Sequence, residues 1–250
     1  PSIAGKLAKE GYHTDFLYGG DINFTNMKSY LLESGYQNLT ADTDFPMSQH
    51  QNAWGVNDDI TFDHLYQMIK DRRDSPWHTA FLTLSSHEPF EVPYHRLKEK
   101  QPNAFAFTDH CLGEFVERIR KTPVWNNLLI VCLPDHGFYY PAEGNGHDAR
   151  IHHIPMLWLG GAVKQPMVIN QVMNQSDLAA TLLAQLGIDH SEFNFSRNIL
   201  STAYTYPFAY WTFGGGFAFA DSTGVTLVDI NADRPMLEIP SPDENRILRG

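Results

Sequence analysis

Cysteine is scarce in this chain. The two residues, Cys111 and Cys132, exclude a disulfide framework. Both fall in apolar segments, where free, buried thiols are expected rather than a bridge. They do not assign a compartment, because a large secreted domain can do without disulfides. Basic residues are also in deficit: 18 Lys and Arg stand against 29 Asp and Glu, a formal net charge of −11. No run of Lys or Arg supplies the basic face that phosphate backbones require, so a nucleic-acid module is excluded. A small phosphate-bearing substrate stays open, since a bound cation can provide positive charge locally. No segment reaches the ~18–20 apolar residues of a membrane span, and no signal peptide opens the chain. Internal repeats, low-complexity tracts and linker-like stretches are missing too, so one domain is expected. What is present suits a large core: 42% hydrophobic and 13% aromatic residues over 250 positions leave no room for a disordered reading.

Helix and strand patterns alternate along the chain, which predicts an α/β domain with a largely parallel sheet flanked by helices. A short amphipathic helix (Ile3, Leu7) leads through Gly11 to a strand in "YHTDFLYG". Residues 24–36, "FTNMKSYLLESGY", carry a helical stripe with Gly35 as its C′ residue. Residues 58–73 start acidic and end basic, matching a helix dipole. Residues 78–90 read as a buried strand that gives way to a loop at Ser85. A helix over 104–122 precedes a strand over 128–133, and "HHIPMLWLGG" is a strand stopped by glycines. After the helix "QSDLAATLLAQLGI", the alternating aromatic and small residues of "YPFAYWTFGGGFAFADSTGVTLVDI" predict a C-terminal antiparallel hairpin region. Its aromatics, Phe208 to Phe219, are expected in the hairpin core.

Two strand ends carry unusual cargo, "TLSSHEPF" and "VCLPDHGF". Ligands of parallel α/β sheets collect at the carboxyl ends of strands. Inside a strand, Asp135 and His136 would point to opposite faces. Beyond Pro134 the strand must bend, and Gly137 permits a tight turn, so both side chains can converge. A carboxylate beside an imidazole offers O and N ligands suited to Zn²⁺ or Mn²⁺. Taken alone, the tripeptide is a weak signal, and a polar loop would explain it as well.

The surrounding pattern is more specific. "GYHTDFLYGGDINFTNMKSYLLESGYQ", "WGVNDDITFDHL", "FLTLSSHEPF", "NNLLIVCLPDHG" and "HHIPMLWLGG" follow one another with helices between them. In order and spacing this resembles the lipoteichoic acid synthase-like branch of the sulfatase/alkaline phosphatase superfamily, whose extracellular members are phosphoglycerol transferases. The resemblance covers nearly the whole chain and implies that residues 1–250 are the C-terminal portion of one sulfatase-like catalytic domain. It implies that Asp135 and His136 are divalent-metal ligands, with Mn²⁺ first and Zn²⁺ or Mg²⁺ as alternatives. His87 matches a histidine that contacts the phosphate or glycerol head group, and Tyr18 and His153 are further candidates for the substrate side. The nucleophilic threonine and a glutamate ligand are expected ahead of Pro1, so no catalytic nucleophile is assigned within the chain and the chain alone is expected to be inert. Entry on a helix–strand unit, with no initiating Met, fits a piece of something longer.

Two positions depart from the relatives. Tyr18 stands where His often precedes Gly, and Met27 stands where Arg would approach the phosphate. Tyr18 can hydrogen-bond a phosphate oxygen, but Met27 cannot make arginine's bidentate contact. The implied activity is metal-dependent transfer of a phosphoglycerol or related phospho-alcohol from a lipid donor, with a phospholipid or polyol-phosphate substrate. The implied location is extracytoplasmic, on a membrane-anchored parent. A sulfatase, phosphodiesterase or phosphoethanolamine transferase of the same superfamily is the alternative, as is a non-catalytic module that binds a polyol phosphate or lipid head group. Trp54 is read as packing, with a ring that faces a glycerol or sugar as the alternative; His152 precedes a buried strand, His147 is read as a solvated loop residue, and His13, His50, His64, His78, His95, His110 and His190 as surface or packing.

Overall fold

The computed structural model describes residues 1–73, 76–140, 146–232 and 235–240. They form two compact units, Pro1–Leu129 with Gly160–Ala162, and Ile130–Leu159 with Val163–Gly250. In the first unit, α1 (Ile3–Lys9) leads to β1 (His13–Tyr18), then α2 (Met27–Glu33), β2 (Asn38–Thr40), and the short pair β3 (His50–Asn52) and β4 (Gly55–Val56). α3 (Asp58–Ile69), β5 (Trp77–Leu82) and α4 (Lys100–Ile119) complete it.

The sheet runs β2-β1-β5, and both neighbours lie parallel to β1. Its alternation places a core on each face. Phe16 and Tyr18, in register with Ala80 and Leu82, pack with Ile22, Leu31, Ala41 and Met27 under α2. Leu17 is fully buried and pairs with Phe81 on the other face, where Phe81 meets Phe62 of α3 at 4.8 Å and Phe62 meets Phe115 of α4 at 5.6 Å. Covering both faces is what a parallel sheet requires. The stripe Ala104, Phe107, Cys111, Phe115, Ile119 buries one side of α4 at helical spacing. Burial lifts the Cys111 thiol to about 12, so it is a packed hydrophobe. The strand expected over residues 78–90 is shorter and only half-buried throughout.

Two close approaches to glycine, one by backbone and one by a side-chain ring, shape the end of β1. A Cβ on Gly55 (φ +139) would sit 2.1 Å from the Gly19 carbonyl oxygen, and a Cβ on Gly20 would strike the Tyr18 ring at 2.6 Å. The "YGG" sequence therefore lets β4 and the Tyr18 ring close over the same backbone.

The second unit pairs β6 (Ile130–Cys132) with β7 (Leu157–Leu159) in antiparallel fashion, a departure from the parallel expectation for these two strands. Cys132 is half-buried rather than buried, and both cysteines are free. α5 (Leu178–Gln185) precedes β8 (Phe208–Phe213), β9 (Gly216–Asp221), β10 (Gly224–Asp229) and β11 (Leu237–Pro240), an antiparallel sheet in chain order. The Asp221 carboxylate accepts from the Thr223 N–H and hydroxyl, closing the β9–β10 turn, as the "DSTG" sequence predicts. Ala218, Ala220, Val225 and Leu227 form its core, with Trp211 and Phe213 against them.

Candidate functional site

The His87 turn hangs on a buried carboxylate. Asp58, the first residue of α3 and fully buried, accepts from the Leu84 N–H at 2.8 Å, the Ser85 N–H at 3.2 Å and the Thr108 hydroxyl at 2.6 Å. The Asp58 N–H in turn donates to the Ser85 Oγ at 2.8 Å. Burial pushes the Asp58 carboxyl above its ordinary value, against the pull of those hydrogen bonds. The start of α3, the exit of β5 and the middle of α4 are thus tied at one point. The acidic helix start in "WGVNDD" announces a favourable dipole, but a tie across 26 residues leaves no local signal.

Beyond this anchor the backbone makes two successive turns, His87 N–H to the Leu84 carbonyl and Phe90 N–H to the His87 carbonyl, each 3.0 Å. His87 is exposed. Its Nδ1–H donates to the Glu88 carbonyl at 2.9 Å, which fixes the tautomer and leaves Nε2 to face outward. Tyr18, the other substrate-side candidate in this unit, is half-buried and packs on the core beneath α2, as does Met27. Burial, followed by the nearby Asp21 and Asp42 carboxylates, raises its phenol pKa, so the hydroxyl remains a donor at neutral pH.

Asp135, His136 and His153 belong to the second unit. The Asp135 Oδ1 accepts from the His136 N–H at 3.0 Å, and the His136 Nδ1–H donates to the Gly137 carbonyl at 2.8 Å. Those two bonds leave Asp135 Oδ2 and His136 Nε2 on one side, 3.8 Å apart, with the side chains 71% and 68% exposed. Two ligands each about 2.1 Å from one ion stand about 3.4 Å apart at tetrahedral and about 3.0 Å at octahedral angles, so at 3.8 Å the pair stands somewhat wide of a shared divalent cation. The donor set, one hard oxygen and one imidazole nitrogen with its far nitrogen tied to a carbonyl, suits Zn²⁺ or Mn²⁺. Among the described residues no group of three or more His, Cys, Asp or Glu gathers to complete such a site.

Gly137 serves a different purpose from the expected tight turn. A Cβ there would lie 1.5 Å from the Ile151 carbonyl oxygen, so the glycine admits the 3₁₀ turn Ala149–His152 against the Asp135–His136 loop. His153 is exposed just after that turn. His152 stacks on Trp211 at 4.8 Å, as packing. His147 stands edge-on to Phe213 at 4.5 Å, so it is packed rather than solvated.

Sequence reasoning missed the support beneath the loop. Gln175 Nε2–H donates to the Pro134 carbonyl at 2.7 Å and the Asp135 carbonyl at 3.1 Å. Gln175 opens a 3₁₀ turn ended by Asp177. Asp177 is fully buried and takes a bidentate pair from Arg197, Nε at 3.0 Å and Nη2 at 2.5 Å. Arg197 lies 3.6 Å over the Phe208 ring. The sequence clue is the "NQSD" cap before an apolar helix.

Among the described residues no helix is long and apolar enough to cross a membrane. The Sulfatase family model matches residues 1–188. Phosphoglycerol transferase I of Xanthomonas campestris pv. campestris (strain B100) is 24% identical over 212 residues, covering 78% of this chain and 30% of that protein. A solved protein of the alkaline phosphatase superfamily from Vibrio parahaemolyticus superposes with a TM-score of 0.83 at 23% identity, covering 99% of this chain and 64% of the other. The lipoteichoic acid synthase LtaP from Listeria monocytogenes gives a TM-score of 0.78 at 16% identity, covering 99% and 69%. The chain spans less than a third of the length of the curated phosphoglycerol transferases it matches. A match over most of the sequence places the chain in the sulfatase family.

Proposed function

We propose that this chain is part of an extracytoplasmic, membrane-anchored transferase that moves a phosphoglycerol or related phospho-alcohol group from a lipid donor. The observation that carries the reading is the outward pairing of Asp135 Oδ2 with His136 Nε2, 3.8 Å apart. Asp135 and His136 hold a divalent ion, Mn²⁺ first, together with ligands from other parts of the protein. When bound, the ion supplies the positive charge that lets an alkoxide and a phosphoryl group meet at neutral pH. The nucleophilic threonine of the family resemblance lies ahead of Pro1. His87 presents Nε2 to the phosphate or glycerol head group, Tyr18 offers its neutral hydroxyl, and His153 lies on the substrate side of the second unit. The names of the relatives, phosphoglycerol transferase I and lipoteichoic acid synthase, support this substrate class over sulfate esters.

The test uses the whole parent protein and a glycerophospholipid with a phosphoglycerol head group. Asp135→Ala/His136→Ala is expected to lower turnover by more than about a thousandfold, with the melting temperature nearly unchanged because both side chains are exposed. Wild-type turnover in the double variant rules out the metal assignment.

A further inference from the structure

Against the expectation for the hairpin core, the C-terminal sheet carries aromatic rings on its outer face. Ala218 and Ala220 of β9 are buried, and alternation sends Phe217 and Phe219 the other way. Tyr210 of β8 pairs with Phe219 and shares that face, where Phe208 stacks on Phe219 at 5.0 Å. Tyr210 and Phe217 are exposed. Phe195, at 86% exposure, borders a cleft of about 140 Å³ together with Tyr210, Asn174 and Arg197. The Asn174 side chain accepts from the Tyr210 N–H at 3.1 Å and donates to its carbonyl at 2.7 Å, which ties the preceding segment to the edge of β8.

That segment is apolar and bare. Residues 163–171 are all exposed, with Met167, Val168 and Ile169 in succession and Val168 at 84%. The Tyr204 hydroxyl donates to the Val172 carbonyl at 2.5 Å, a second tie close behind the apolar tip. Large exposed apolar patches mark interaction sites.

Charge separates the candidate partners. The chain has 29 Asp and Glu, yet residues 149–176 and 193–220, which supply this surface, contain none. Between those stretches Asp177 is buried and paired with Arg197, and only Asp189 and Glu192 are exposed carboxylates. A surface cleared of carboxylates in so acidic a chain suits the anionic phosphates of a lipid bilayer. A protein partner would also ask for about one hydrogen bond per 100–200 Å², but Asn174 and Arg197 are already committed. A bilayer asks for apolar groups that project, with tyrosines at head-group level. The backbone of such a loop stays among the hydrated head groups, and only its side chains dip.

We infer that this face of the second unit rests on a phospholipid bilayer, with Phe195 and the tip 167–169 dipping into its interfacial layer. The inference rests on the transferase reading only in naming that bilayer as the source of the lipid donor.

Flotation of the 250-residue chain with vesicles of phosphatidylcholine and phosphatidylglycerol tests it. Binding is expected to persist at high salt, because apolar insertion is not screened. Phe195→Ala and Val168→Asp should each weaken it about tenfold, and Phe195→Trp little. Circular dichroism of each variant checks that these exposed substitutions leave the fold intact. In the parent protein, reconstituted in the same lipids, a fluorophore attached at Phe195→Cys or Val168→Cys should be quenched by lipids brominated along their acyl chains. No flotation, flotation unchanged in either weakening variant, or no quenching in the parent overturns the membrane face; absence of quenching alone would mean that the rest of the parent covers it. Transfer from a water-soluble donor by the parent in detergent is measured separately. Transfer without quenching sinks the membrane face alone, whereas quenching without transfer leaves the face standing and sinks the transferase reading.

Discussion

The loops after β5 and β6 each present a histidine by one device and are supported in two different ways. In both, Nδ1–H donates to the carbonyl of the following residue, Glu88 or Gly137, and Nε2 is left outward. The His87 loop is gripped directly by a buried carboxylate, since Asp58 accepts from the backbone of Leu84 and Ser85. The Asp135–His136 loop is gripped at one remove: buried Asp177, clamped by Arg197, fixes a turn, and an exposed glutamine reaches from that turn to two loop carbonyls. A histidine that binds a head group must be in place before substrate arrives, whereas two metal ligands are also held by the ion they share. Direct support at the first loop and lighter support at the second fit the head-group role proposed for His87 and the metal role proposed for Asp135 and His136.

The sharpest way to break the comparison is to cut the direct grip. Asp58→Ala leaves the Leu84 and Ser85 N–H groups and the Thr108 hydroxyl buried without their acceptor. A loss of about 3–4 kcal/mol in stability is expected from urea unfolding, with Asp58→Asn losing less because one oxygen remains. In the parent protein the surviving activity is expected to show a raised KM. An unchanged unfolding midpoint in Asp58→Ala would mean that the loop is held by its turns alone.

Acid is expected to separate the two units next. His78, at the start of β5, lies beside Tyr36 (3.5 Å from its hydroxyl), and burial holds its pKa down at about 4, with Asp15 pulling the other way. A depressed folded pKa means the stabilisation is complete above the unfolded value near 6.5 and is lost as pH falls through the folded value. Between pH 6.5 and 4 the first unit should lose up to about 3 kcal/mol through this residue. The raised pKa of Asp58 acts in the opposite direction, so the wild type must be compared with His78→Gln at each pH. In the second unit, the Thr223 and Tyr206 hydrogen bonds depress Asp221, so its contribution fades only below the ordinary carboxylate range. Hydrogen exchange at pH 5 should report lower protection in β1 and β5 than in β9 and β10. A His78→Gln variant with the same pH dependence as the wild type would discard the assignment.

A smaller effect separates the two histidines by function. His87→Ala removes a hydrogen bond to a charged group, about 1.5–3 kcal/mol, so kcat/KM of the parent protein is expected to fall about ten- to a hundredfold. The melting temperature should hold, because the side chain is exposed. Loss of melting temperature with unchanged kinetics would make His87 a structural residue.

What the sequence reveals and what it hides follows the range of the interactions. The stripes of α3 and α4, the cap at Gly35 (φ +94) and the hairpins of β8 to β10 are local, and their periodicity marks them within a few residues. The antiparallel pairing of β6 with β7 is not local, because strand direction depends on the path of the intervening chain. The same holds for the Asp58 and Asp177 anchors, each of which looks like an ordinary acidic helix start. Trp54 is legible as packing or as a ring near a site, but its neighbours Phe24 at 5.8 Å and His87 at 5.3 Å come from other segments and leave no local signal. Both loop histidines are legible as adjacent chemistry at strand ends, but the carbonyl bonds that orient their rings are not.

The mildest perturbation probes the indirect grip. Gln175 is exposed, so its two bonds to the Pro134 and Asp135 carbonyls compete with water and contribute about 1 kcal/mol or less to folding. Their importance lies in holding the backbone that aims Asp135 Oδ2 and His136 Nε2 at one point. Removing an orienting partner of a metal ligand typically costs about ten- to a hundredfold in affinity. Here the bonds reach the backbone rather than the ligating atoms, and the bound ion itself restores part of the geometry. Gln175→Ala is therefore expected to weaken activating-metal affinity of the parent protein about threefold, read as the metal concentration for half-maximal activity, with saturated kcat and the melting temperature nearly unchanged. Gln175→Glu tests the polarity: a carboxylate cannot donate to the two carbonyls, so it should behave like alanine rather than like the wild type. An affinity loss as large as that of Asp135→Ala would show that Gln175 acts on the ion itself, and the contrast between a direct and an indirect grip would fail.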